Sequence, residues 1–139
     1  MVLRSIEERY NEALNAFHSG DLNIAEDLLT EIVNEAEDFN SNYFLAVVKS
    51  QLGKYEEAIK YYQNTISKAP NHPEAYFNMA LCQQKLERQD EALESYLKAV
   101  EINPHLDDAY NNIAYIYQEK GDLENAEKYL LKTSDNFFS

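Results

Sequence analysis

Apolar residues recur along this chain at helical spacing. In "DEALESYLKAV", Ala92, Tyr96, Ala99 and Val100 fall at i, i+4, i+7 and i+8; in "NIAEDLLTEIV", Ala25, Leu28, Leu29, Ile32 and Val33 repeat the pattern with i+3 added. That is the stripe of an amphipathic helix rather than the strict alternation of a half-buried strand. Three glycines and three prolines are too few for the many tight turns of an all-β protein, so the pattern predicts an all-α fold.

The pattern itself repeats. Pro70 and Pro104 lie 34 residues apart, as do Tyr76 and Tyr110; Ala58, Ala92 and Ala126 are spaced 34 and 34; Gly53 and Gly121 are 68 apart. The segments beginning "YFLAVVKSQLGKYEEAIKYY", "YFNMALCQQKLERQDEALESY" and "YNNIAYIYQEKGDLENAEKYL" overlay without gaps. "YNEALNAFHSGDLNIAEDLL" joins them one residue short, with Gly20 to Gly53 and Ala25 to Ala58 each spanning 33. A fixed period of this length marks stacked repeats, here four, at about 5–38, 39–72, 73–106 and 107–139 of a single domain. Each reads as two helices. Gly20, Gly53 and Gly121 stand where the first helix ends in a left-handed residue, and "AP" and "NP" at Pro70 and Pro104 stop the second.

These residues carry a resemblance to the tetratricopeptide repeat family. The period, the small residue of the first helix (Ala13, Ala46, Ala80, Ala114), the alanine opening the second (Ala25, Ala58, Ala92, Ala126) and the closing proline all match its pattern over roughly residues 5–135. The chain departs from it where Glu87 replaces the turn glycine of the third repeat, where Arg9 and Asn42 replace the aromatic supplied by Tyr76 and Tyr110, and where the first repeat lacks the proline. The resemblance implies a right-handed superhelical α-solenoid of four helix-turn-helix repeats, its concave face lined by the first helix of each.

By family register the groove positions include Tyr10, Asn11, Tyr43, Phe44, Phe77, Asn78, Leu81, Asn111, Asn112 and Tyr115, which are the expected peptide-binding residues. Asn11, Asn78 and Asn112 recur at one repeat position, and Phe44 takes that place in the second repeat. A carboxamide offers both donor and acceptor, so such a row suits the backbone of an extended peptide while neighbouring aromatics supply burial. Solvated amides filling a family position are the plainer alternative. At Asn111's position the other repeats carry Tyr10, Tyr43 and Phe77, so the last repeat exchanges an aromatic contact for a polar one.

Charge narrows the partner. Twenty-five acidic and twelve basic residues give a net charge of −13, which disfavours nucleic acid and anionic lipid. Met1 to Asp38 carries ten acids and two arginines, net −8, whereas Phe39 to His72 carries four lysines and two glutamates, net +2. Some members of the family grip a partner's terminal carboxylate with basic groove residues, but Asp108 and Asn112 stand where that clamp asks for lysine or arginine, and Leu14, Val47 and Leu81 where it asks for asparagine. With Glu7, Glu74 and Asp108 on the rim, the expected partner is a neutral or basic peptide with apolar anchors.

Little chemistry competes with that reading. Cys82 is the only cysteine, it aligns with Val48 and Ile116 as a buried small hydrophobe, and His18, His72 and His105 form no ligand spacing with it. No cofactor or metal is expected, and no nucleophile, base or phosphate-cradling glycine loop converges on the groove. "MVLRSIEERYNEALNAF" is too charged for a signal peptide or membrane span, so a cytoplasmic chain without a membrane partner is expected. At the other end Phe137 and Phe138 follow Leu130 and Leu131 with no capping helix: either the tail folds back over the last helix, or the surface meets another copy, or the chain is part of a longer one, and a homo-oligomer through the last repeat is the favoured expectation. The sequence therefore reads as a non-enzymatic interaction module of scaffold or assembly type. The alternatives are a small acidic secretion-type chaperone, which it resembles in size and acidity, and the repeat portion of a larger enzyme.

Overall fold

Inside each of its four helical hairpins the chain turns back on itself, and the same backbone geometry makes each of these turns. Gly20, Gly53 and Gly121 have φ of 83°, 78° and 80°, and Glu87 has φ of 61°, so all four occupy the left-handed region. In each turn two amides fold back onto the helix they follow: Gly20 N–H donates to the Phe17 carbonyl and Asp21 N–H to the Ala16 carbonyl (3.1 and 2.8 Å). The pair recurs at Gly53 with Lys54, at Glu87 with Arg88, and at Gly121 with Asp122. This is a Schellman closure, which satisfies carbonyls that a helix end leaves orphaned.

The computed structural model describes residues 4–36 and 38–138, and their side chains except those of residues 39 and 134–138. Eight helices follow in order: α1 Ile6–His18, α2 Leu22–Glu35, α3 Phe39–Gln51, α4 Tyr55–Lys68, α5 Pro73–Lys85, α6 Gln89–Ile102, α7 Asp107–Glu119 and α8 Leu123–Phe138. No strand occurs among the described residues. The starts of both helix classes repeat at 33 and then 34 residues, the period expected from the sequence. Polar side chains fix several starts. Ser5 Oγ accepts from Glu8 N–H (3.1 Å), Asp38 Oδ1 from Asn40 N–H (3.1 Å), and His72 Nδ1 from Ala75 N–H (3.0 Å) ahead of Pro73 in the first turn of α5. The second helices α4 and α6 end at Lys68 and Ile102, two residues before Pro70 and Pro104.

Contacts gather into two units, residues 1–70 and 71–139, each a pair of hairpins. In the first, α1 packs on α2, α2 on α3 and α3 on α4; in the second, α5 packs on α6, α6 on α7 and α7 on α8. The small residues of the repeat pattern lie at the closest helix approaches: Ala13, Ala25, Ala46, Ala58, Ala80 and Ala92 are wholly buried. The core of the first unit joins Ala13, Ala25, Leu28, Leu29 and Ile32 to Leu45 and Val48, and that of the second joins Ala80, Ala92 and Tyr96 to Ala109, Tyr110, Ile113 and Ile116. Leu29, Ile32 and Ile113 have no exposed surface, and each such side chain contributes roughly 1.5–3 kcal/mol of transfer free energy. Cys82 is buried, as its alignment with Val48 and Ile116 predicts.

One polar feature runs through the first unit. Lys49 of α3 reaches Glu26 of α2 (2.7 Å) and Glu57 of α4 (3.0 Å), and Lys54 closes on Glu26 from the α3–α4 turn (2.8 Å). Glu26 and Lys49 are each only 8 % exposed. Burial acts to raise the Glu26 carboxyl, but hydrogen bonds from Lys49 and Lys54 outweigh it and hold the group below the ordinary carboxylate range. Burial likewise acts to lower the Lys49 ammonium, and its bonds to Glu26 and Glu57 raise it above its ordinary value. The pair stays charged.

Candidate protein-interaction surface

The first helices α1, α3, α5 and α7 carry every expected groove residue. In the first unit the aromatics gather on one another. The Tyr10 ring meets Phe44 edge-on at 6.3 Å, Phe17 meets Phe44 at 5.0 Å, and Tyr43 meets Tyr62 of α4 at 5.9 Å. Tyr10, Tyr43 and Phe44 are therefore half-buried, each with part of its ring left to solvent, and Asn11 beside them is exposed. Edge-to-face pairs of this kind hold aromatic surface at a fixed angle while leaving one ring face free.

In the second unit Leu81 of α5 is 37 % exposed and Tyr115 of α7 is 51 % exposed. Together they line a cleft of about 640 Å³ with Gln84, Lys85, Glu87, Gln89 and Glu119. Phe77 lies half-buried against Tyr96 (5.6 Å) and lines a second hollow, of about 390 Å³, with His105, Leu106, Asp107 and Asp108. Asn111 is exposed, whereas Asn78 and Asn112 are half-buried. The unit thus brings Leu81 and Tyr115 into one cleft and sets Phe77 beside the acidic start of α7.

Asn112 already has a partner. Its side chain lies against the Tyr96 hydroxyl, which in turn donates to Gln84 Oε1. Burial pushes the Tyr96 hydroxyl well above its usual range despite the bond from Asn112, so it keeps the proton it donates. The chain Asn112–Tyr96–Gln84 links α7, α6 and α5. Gln84 is a groove position by the family register as well, whereas Glu87 and Glu119 were not among the expected groove residues. Their signal in the sequence was register alone, since they stand one turn beyond Leu81 and Tyr115 on the same helices or at the turn that follows.

Among the described residues no group of His, Cys, Asp and Glu could hold a metal ion, and no helix is long and apolar enough to cross a membrane. On α8, Leu123, Leu130 and Leu131 are 67 %, 50 % and 53 % exposed, and the side chains of Phe137 and Phe138 lie outside those the structure describes.

Helical hairpins at a 34-residue period, with first helices bearing exposed apolar and amide side chains, define a helical-repeat protein-interaction scaffold. The family models agree: two described as Tetratricopeptide repeat match residues 37–104 and 95–128, and the chain belongs to that family. No curated protein sequence matches it. Solved structures similar to it include a crystal structure of MamA, 24 % identical over 94 % of this chain and 77 % of that one, with a TM-score of 0.92. Another is MamA from Desulfovibrio magneticus RS-1, from residue 41 to its end, 19 % identical over 94 % and 75 % with a TM-score of 0.88. A third is MamA MSR-1, 21 % identical over 95 % and 76 % with a TM-score of 0.85. At these identities the likeness is one of fold.

Proposed function

We propose that this protein is a non-enzymatic, cytoplasmic module that binds an extended, neutral-to-basic segment of a partner protein against its first helices. The observation that carries the reading is the exposure of Leu81 and Tyr115 side by side in one cleft. Large apolar side chains left open on two helices of one unit, rimmed by two amides, two carboxylates and one ammonium, are what a peptide anchor requires. Gln84 and Asn112 offer a donor and an acceptor to the same partner backbone, and Glu87, Glu119, Asp107 and Asp108 favour lysine or arginine beside the anchor.

The test is selection from a random peptide display on the whole chain, repeated with Leu81→Ser plus Tyr115→Ala. Peptides enriched on the wild type should combine an apolar residue with lysine or arginine, and the double variant should bind them about tenfold more weakly or worse. Selection of acidic peptides, or unchanged binding by the double variant, would sink the proposal.

A further inference from the structure

The second unit holds its own occupied template for a recess elsewhere in the same unit. In the fourth hairpin the Tyr129 ring of α8 stacks on Tyr110 (6.3 Å between centroids, 24° between planes) and on Tyr117 (5.7 Å, 16°). Lys132 lies over the same ring, 5.9 Å from its centroid, and Lys128 at 5.6 Å. Subtracting the period of 34 puts Tyr76, Gln83, Ser95, Lys98 and Glu94 at these five places in the third hairpin. The frame survives in Tyr76 and Lys98, but the ring is missing: the other hairpins supply Leu28, Tyr61 and Tyr129 where this one supplies Ser95.

A cavity of about 630 Å³ lies at that place, lined by Tyr76, Met79, Gln83, Ser95, Leu97 and Lys98 together with Glu91, Glu94 and Glu101. Ser95 Oγ donates to Gln83 Oε1 across its lining (2.7 Å), so these two buried polar atoms satisfy one another. Tyr76 and Lys98 stand on its walls. The charges differ from the template in one informative way, because Glu94 replaces Lys128 and the lining carries three carboxylates against one ammonium. In the fourth hairpin the cations beside the ring belong to the chain itself; in the third, Glu101 pairs with Lys98 (3.8 Å), and Glu91 and Glu94 add carboxylates where a cation brought with the ring would pair.

We propose that the third hairpin binds an aromatic side chain of a basic partner segment, which stacks on Tyr76, passes under Lys98 and sets flanking lysines or arginines against Glu91 and Glu94. The site is separate from the Leu81–Tyr115 cleft and does not depend on it. Because the protein has no tryptophan, a tryptophan in the probe reports without background.

The probe is the capped tripeptide acetyl-Lys-Trp-Lys-amide, followed by its own fluorescence on addition of the full chain. A saturable blue shift is expected, with acetyl-Lys-Ala-Lys-amide failing to displace the probe. Ser95→Tyr, which installs the template's ring, should weaken binding about tenfold or more. If circular dichroism shows that variant unfolded, Tyr76→Ala is read in its place, with the same loss expected. No saturable shift on the wild type, unchanged binding by the folded variant, or a loss seen on Leu81→Ser but not on Ser95→Tyr would each overturn the assignment.

Discussion

Glu87 shows how much one backbone angle decides. A side chain at φ 61° costs roughly 1–2 kcal/mol relative to the right-handed region, and the three sister turns avoid that cost with glycine. The residue is retained at the rim of the Leu81–Tyr115 cleft, where its carboxylate faces the proposed partner. Stability and binding then pull in opposite directions. Glu87→Gly should raise the free energy of unfolding by about 0.5–1 kcal/mol, the relief of strain less the added freedom of the unfolded chain. The same change should weaken a selected basic peptide a few-fold. Urea unfolding and a peptide titration on one preparation check both; a variant less stable than wild type would show that Glu87 makes contacts worth more than its strain.

At the scale of the helix pair, the Glu26–Lys49 contact sets α2 against α3 with charges where the second and third repeats place Ile59 and Leu93 and the third and fourth place Gln83 and Tyr117. Removing one member strands the other in a buried place. Lys49→Met should cost about 2–3 kcal/mol, at the low end of such losses because Lys54 still reaches Glu26. Glu26→Leu with Lys49→Met should cost clearly less than the sum of the single changes, as a double-mutant cycle in urea would record. The pH dependence has a definite sign. The Glu26 carboxyl lies below its unfolded value, so its contribution is complete above the ordinary carboxylate pKa of about 4.5 and is lost as pH falls through the lowered folded value. Acid titration of stability should therefore be shallower in Glu26→Gln than in wild type, and parallel curves would remove the pair from the account. Nothing in the sequence disclosed this network, because a lysine and a glutamate on amphipathic helices look like a solvated face until the neighbouring helix is in place. The helices themselves were legible, since glycine and proline punctuate them and a period of 34 aligns even Glu87 with the turn glycines. The candidate surface was only partly so: register put Leu81 and Tyr115 on first helices, but the commitment of Asn112 to Tyr96 depends on a side chain reaching across from another helix, which single-helix periodicity does not encode.

Over the whole molecule, the main packing within each unit joins helices adjacent in the chain, supplemented in the first unit by the ring contacts of α1 on α3. No helix is clamped between partners distant in sequence, and no strand ladder crosses the unit to be sheared, among the described residues. Stretched between its ends, such a unit offers no single breaking point. It peels, one hairpin after another, each release freeing about 34 residues or roughly 110–120 Å of extended chain. A protein held at one end and pulled at the other would yield at low force in short, nearly equal steps and rewind when the load drops, the behaviour of a soft spring rather than a latch.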